Sequence, residues 1–175
     1  VVNCRFQTIA NSPRGDNSTA SFTKFNQFCL DLCSGIHNLA TGTSDTFYCL
    51  LTLSAPSTTD TAVNTSATPC QLISTSSANE IAAGNNYTKG GLTCGTVTGA
   101  QASGTFKFTL GTDPVWTATN TVGPFQYVVL YNSAKGSAGA RPVIGFWNYG
   151  SNVTLATGET FTVDLDQTNG VLTVA

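Results

Sequence analysis

From Gly91 onward the chain is written in short alternating runs set off by Gly, Asn, Asp and Pro, and this pattern constrains the fold more than any other feature. Candidate strands cover 91–98, 104–110, 114–118, 124–131, 142–149, 151–155, 159–165 and 171–175. Tyr127, Val129 and Tyr131 alternate with Val128 and Leu130, while Phe161, Val163 and Leu165 alternate with Thr160, Thr162 and Asp164. Side chains of a strand that buries one face must follow this period of two. Asn169-Gly170 supplies a tight turn into the last strand. Strands this short and this closely spaced predict a mainly β fold, an antiparallel β-sandwich or jelly-roll-like domain, with no repeat strong enough for a solenoid or propeller.

The first half reads differently. Residues 1–20 are polar, with Pro13 and Gly15 interrupting any period, and are expected to form an extended N-terminal arm. From Ser21, a candidate N-cap, Phe22, Phe25, Cys29, Leu32, Cys33 and Ile36 recur in steps of three and four, which predicts one amphipathic helix over about 21–35, stopped by Gly35. Phe47, Cys49, Leu51 and Leu53 then alternate with Tyr48, Leu50 and Thr52, as in a strand buried on at least one face. Residues 54–79 are rich in Ser, Thr, Ala and Asn, carry Pro56 and Pro69, and read as a long loop of the kind that contacts a partner. The whole of 21–175 is expected to be one sandwich domain.

Composition removes several functions. Only 9% of the 175 residues are charged, against about 25% in an ordinary soluble domain. Seven cations in a chain of net charge −2 cannot form the basic stripe that nucleic acid or anionic lipid demands. No apolar run approaches the ~20 residues of a membrane span, and no basic-then-apolar segment marks a retained signal peptide. With His37 as the sole histidine, a His-rich metal centre is excluded and any imidazole-assisted nucleophile must use that residue. Neither a nucleophile elbow nor a phosphate loop accompanies it, so no enzyme and no cofactor are expected; a histidine just beyond a helix end ordinarily interacts with the terminal carbonyls.

All six cysteines, Cys4, Cys29, Cys33, Cys49, Cys70 and Cys94, lie in the first 94 residues. Three roles are open to them. Disulfides within this half or to a neighbouring molecule fit the clustering. Zinc would need close pairs, and Cys29 with Cys33 is the sole pair at such a spacing, which on a helix equally describes two buried residues on one face. The third role is that of small buried hydrophobes. The aromatic set of Trp116, Phe125, Tyr127, Tyr131, Phe146, Trp147 and Tyr149 reads as core or subunit interface, with a sugar-stacking platform as the alternative.

Smaller motifs have plain explanations. Arg14-Gly15-Asp16 spells an integrin-type tripeptide, and also a turn built on glycine. Asp164, Asp166, Asn169 and Gly170 resemble a calcium loop, but the third ligand is displaced and the closing Glu is missing, so a hairpin accounts for them better. N-x-[ST] sequons begin at Asn17, Asn64, Asn86 and Asn152, as a chain rich in Asn, Ser and Thr produces by chance.

Longer segments carry a family likeness: Asn79-Glu80-Ile81 followed by Gly84-Asn85-Asn86-Tyr87-Thr88-Lys89-Gly90-Gly91, then Asp113-Pro114-Val115-Trp116-Thr117-Ala118, Gly123-Pro124-Phe125-Gln126-Tyr127-Val128-Val129-Leu130-Tyr131-Asn132, and Pro142-Val143-Ile144-Gly145 through Asn148-Tyr149-Gly150-Ser151 to Gly158-Glu159-Thr160-Phe161-Thr162-Val163 and Asn169-Gly170-Val171-Leu172. Together they resemble small virion structural proteins of tailed bacteriophages, over about 21–175 and most closely after 78. The resemblance implies a non-enzymatic place in the particle and brings no catalytic residues. Its expected partners are the major capsid protein and other virion subunits, in a homo-oligomer or symmetric array on the capsid surface. The arm and the six cysteines depart from the family pattern. A decoration or linking (cement) protein is the leading expectation, with Cys4 and Cys70 in the arm and loop placed for intermolecular disulfides. A tail- or fibre-associated protein and a secreted carbohydrate-binding module are the alternatives.

Overall fold

The computed structural model describes residues 3–9, 16–42, 45–73 and 78–174, with side chains from Ala20 onward. It is mainly β, with antiparallel pairing throughout and one helix, in a β-sandwich-like arrangement whose large sheet curls.

Thirteen strands and a helix follow in order among the described residues: β1 (Asn3–Ile9), β2 (Asp16–Lys24), α1 (Asn26–Cys33), β3 (Phe47–Thr52), β4 (Ala62–Asn64), β5 (Gln71–Ile73), β6 (Leu92–Thr93), β7 (Val97–Ala102), β8 (Thr105–Leu110), β9 (Val115–Thr117), β10 (Val122–Asn132), β11 (Arg141–Leu155), β12 (Thr160–Leu165) and β13 (Leu172–Val174). The large sheet runs β6-β3-β10-β11-β2-β1-β12-β9, with β4 joined to β11 and β5 to β4; β13-β8-β7 form a second sheet. Its curl is visible in one contact. Phe125 of β10 and Phe161 of β12 meet edge to face with centroids 4.8 Å apart, although β11, β2 and β1 lie between their strands.

The central strands are buried on both faces. Phe47, Cys49, Leu51, Val128, Leu130, Ile144 and Trp147 point into one core, which Phe108 and Leu110 of the small sheet close from the other side; Phe47 and Phe108 touch edge-on at 5.1 Å. Leu50, Val129, Tyr131, Val143 and Phe146 face a second cluster with Phe25, Val63, Cys70, Leu72 and Ala78. A register shift opposite Leu130 and Tyr131 leaves Ile144 unpaired between Val143 and Gly145. This bulge resets the alternation, so that Ile144 and Trp147 serve the first core while Val143 and Phe146 serve the second. Burying each such side chain contributes about 1.5–3 kcal/mol.

Three expectations are corrected here. The described residues of the N-terminal segment do not stand off as an arm: β1 pairs with β12 and β2, and β2 continues to β11 through Phe22, Thr23 and Lys24. Unpaired N–H and C=O groups along β11 and β12 supply the reason, since a strand that meets both satisfies them. The helix is shorter than its apparent stripe. Phe22 belongs to β2, its ring tilted against that of Trp147 with centroids 5.0 Å apart, and Phe25 is the helix N-cap, so Phe28 and Asp31 make the buried face and Cys29 and Cys33 are exposed. Gly35 does end it, at φ +71 with its N–H on the Leu32 carbonyl.

The stretch 54–79 is not a plain loop either. Its described part holds the β4–β5 hairpin, in which Val63 and Leu72 pair and point down onto the sheet. The hairpin is the lid of the second cluster. Among the later strands, 142–149 and 151–155 are one strand, β11, and 91–98 divides into β6 and the start of β7.

Candidate functional site

One surface combines a groove, apolar exposure and thiols. Helix α1, the turn at Gly35-Ile36, the start of β4 and the connection from Lys135 to Pro142 enclose a groove of 540 Å³. Beside it the outer face of α1 carries Leu30, 60% exposed, and the turn that follows carries Ile36, 38% exposed, large apolar side chains left in water. Cys29 and Cys33 share this helix and are both exposed, and the Lys24 ammonium donates to Cys29 Sγ at 3.1 Å.

A buried polar chain supports the groove from below. Asn132, at the end of β10, donates through Nδ2 to Asp45 Oδ2 at 2.8 Å and lies 3.3 Å from His37 Nδ1, and its own oxygen receives the Ala134 N–H. Lys135 pairs with Asp45 Oδ1 at 3.1 Å, and the Asn38 N–H donates to Asp45 Oδ2 at 2.8 Å. Burial pushes the Asp45 carboxyl up, but the Asn38, Asn132 and Lys135 donors outweigh it and hold the group below its ordinary value. His37 Nε2 lies 3.9 Å from Asp31 Oδ2, and Gln27 donates to Asp31 Oδ1 at 2.7 Å. Burial pushes His37 below its ordinary value, against the pull of Asp31 and Asp45. No hydroxyl or thiol among the described residues hydrogen-bonds to the imidazole. Its role here is to join the helix turn to β10.

A second polar network lies under the β4–β5 hairpin. Glu80, 3% exposed, receives the Tyr87 hydroxyl at 2.8 Å, the Gly90 N–H at 2.6 Å and the Cys70 N–H at 3.2 Å. Burial, reinforced by a hydrogen bond to Glu80, pushes the Cys70 thiol up to about 12. This corrects the expectation for Cys70: it is a protonated, buried thiol and not an exposed cross-linker. Cys4 stands in β1 opposite Leu165 and Ala20, and its side chain lies outside the described residues. Cys49 and Cys94 are buried with their Sγ atoms 3.5 Å apart.

Trp116, Phe125, Tyr131 and Trp147 are buried, and Tyr127 and Tyr149 half-buried, so the rings pack inside the fold and not on a platform. The Asp166–Gly170 segment closes as a turn: Asp166 Oδ1 receives the Thr168 and Asn169 N–H groups, and Oδ2 receives Asn169 Nδ2. Among the described residues no three His, Cys, Asp or Glu side chains are grouped so as to hold a metal ion. Arg14 and Gly15 lie outside the described residues.

Sequence reasoning missed Glu80, Tyr87, Asn132 and the outer face of α1. Asn132 acts through His37 and Asp45, 95 and 87 positions away, Tyr87 through Leu51, 36 positions away, and Glu80 through Cys70, Tyr87 and Gly90 across a loop, none of which a local period records. Comparison with family models, with curated proteins and with solved structures finds no match for this chain.

Proposed function

We propose that this chain is a non-enzymatic structural protein of a bacteriophage particle, a decoration or linking protein that binds neighbouring capsid subunits through the groove and outer face of α1. The observation that carries this reading is the exposure of Leu30 and Ile36 beside Cys29 and Cys33 on one side of a chain of which only 9% of the residues are charged. Contact cores between proteins are depleted in charge and rich in apolar side chains, and a surface this poor in ions is covered without desolvating many of them. The resemblance of residues 21–175 to small virion proteins supports the same reading. Cys29 and Cys33, at the surface, replace Cys70 as the thiols suited to an intermolecular bridge, formed once a particle leaves a reducing cytoplasm.

The carbohydrate-binding alternative loses its main support, because the two tryptophans that would stack on sugars are each at most 1% exposed. The experiment that tests the proposal is substitution of Leu30→Asp together with Ile36→Asp. Both side chains point to water, so the variant keeps its circular dichroism spectrum and melting temperature while its incorporation into particles is lost. Undiminished incorporation of the folded variant removes this face from the account.

A further inference from the structure

We propose that Cys49 and Cys94 close into an intrachain disulfide when the protein meets a low-molecular-weight disulfide such as oxidised glutathione. The inference is independent of the assembly reading and concerns two cysteines that reading does not use. Their Sγ atoms are 3.5 Å apart, one thiol donating to the other, and both residues are fully buried in the first core. The backbone holds them together as well. Cys49 stands opposite Leu92 in the β3–β6 pairing, Tyr48 stands opposite Thr93, and the Cys94 N–H donates to the Phe47 carbonyl at 2.8 Å. Closing the remaining gap to a bond of about 2.0 Å takes side-chain rotation and a small shift of one backbone. β6 can supply that shift, because it is two residues long and lies at the edge of the sheet with β3 as its only partner in the strand order.

No other described thiol competes for either sulfur. Cys70 belongs to the second cluster, on the opposite face of the sheet, and Cys29 and Cys33 are on the outside of α1. Reaction proceeds by two exchanges. A thiolate of the pair attacks the oxidised glutathione, breaking its S–S bond and releasing one glutathione thiolate; the second protein thiolate attacks the sulfur of that mixed disulfide and releases the other. Two protein thiols are oxidised, one glutathione disulfide is reduced, and the two thiol protons end on two glutathione molecules. Burial pushes the Cys49 thiol up, so attack does not occur from the closed core and requires β6 to open first. The bond would tie the edge strand to β3 and enclose the β4–β5 hairpin and the Glu80 network within one covalent loop.

The test is disulfide mapping of the full chain after incubation with oxidised glutathione, with free thiols alkylated in denaturant without reductant. Chymotrypsin is the enzyme to use, because it cuts after Tyr48 and Leu50 and isolates Cys49, whereas no Lys or Arg lies between Lys24 and Lys89. The expected result is a peptide pair joining Cys49 to Cys94 that separates on reduction. Oxidised protein is then expected to melt roughly 5–15 °C above the reduced form, a shift absent from the Cys49→Ala, Cys94→Ala double variant. Alkylation of both cysteines, retention of glutathione on either, or linkage of either to Cys4, Cys29, Cys33 or Cys70 overturns the proposal; the mapping on the natural chain decides it even where the double variant does not fold.

Discussion

The Tyr87 hydroxyl donates to Glu80 Oε1 at 2.8 Å and receives the Leu51 N–H at 3.0 Å, so one phenol ties the buried carboxyl to the end of β3. Glu80 in turn holds the Gly90 and Cys70 N–H groups. Replacing Glu80 by Leu leaves three donors without their acceptor, and the cost expected in chemical denaturation is about 3–5 kcal/mol. Tyr87→Phe, which removes one donor and one acceptor, costs about 1–3 kcal/mol. A Glu80→Leu variant as stable as the natural chain would show that the network does not hold the hairpin.

His37 makes stability depend on pH in a defined direction. Burial keeps its folded pKa below the usual 6.5, so below that pH the unfolded chain binds the proton more readily than the folded one. The contribution is fully present above 6.5 and is lost as pH falls toward the folded value. Asp45, also held below its ordinary value, adds a loss in the same direction at lower pH, below 3.8. Denaturant midpoints measured from about pH 7.5 down to about pH 5.5 should fall, and His37→Gln should flatten that slope. A flat profile in the natural chain contradicts the assignment.

Thiol reactivity separates the cysteines without any structure determination. Cys29 and Cys33 should label within a brief exposure of the folded protein to a maleimide, while Cys49, Cys70 and Cys94 should not, Cys49 and Cys94 being reached only when β6 opens. Peptide mapping of briefly labelled protein reads this directly. Labelling of Cys70 at the rate of Cys29 would return it to the surface.

Strand β12 was legible because it carries its burial in a period of two, with Phe161, Val163 and Leu165 buried and the residues between them not. By contrast, β10 and β11 are buried on both faces and were legible from their short apolar runs between turn residues. The helix misled because Phe22 and Phe25 fall at helical spacing by coincidence; the pairing of Phe22 with Trp147 in β11 overrides it, and no side-chain cap forms at the start of α1. The β4–β5 hairpin was hidden for another reason. One inward apolar residue per strand, Val63 and Leu72, suffices when a sheet already buried on its other face lies beneath, and two residues make no detectable period. The thiol-bearing spacing of Cys29 and Cys33 was visible, but its direction, outward, follows from Phe28 and Asp31 taking the inner face.

The central claim is that the chain is a repeated component of a particle shell. Quantitative mass spectrometry of purified particles, with this chain measured against the major capsid subunit, tests it most directly. The account predicts a copy number of the same order as that of the capsid subunit; a few copies per particle would place the chain in the tail, and its absence from purified particles would contradict the account outright.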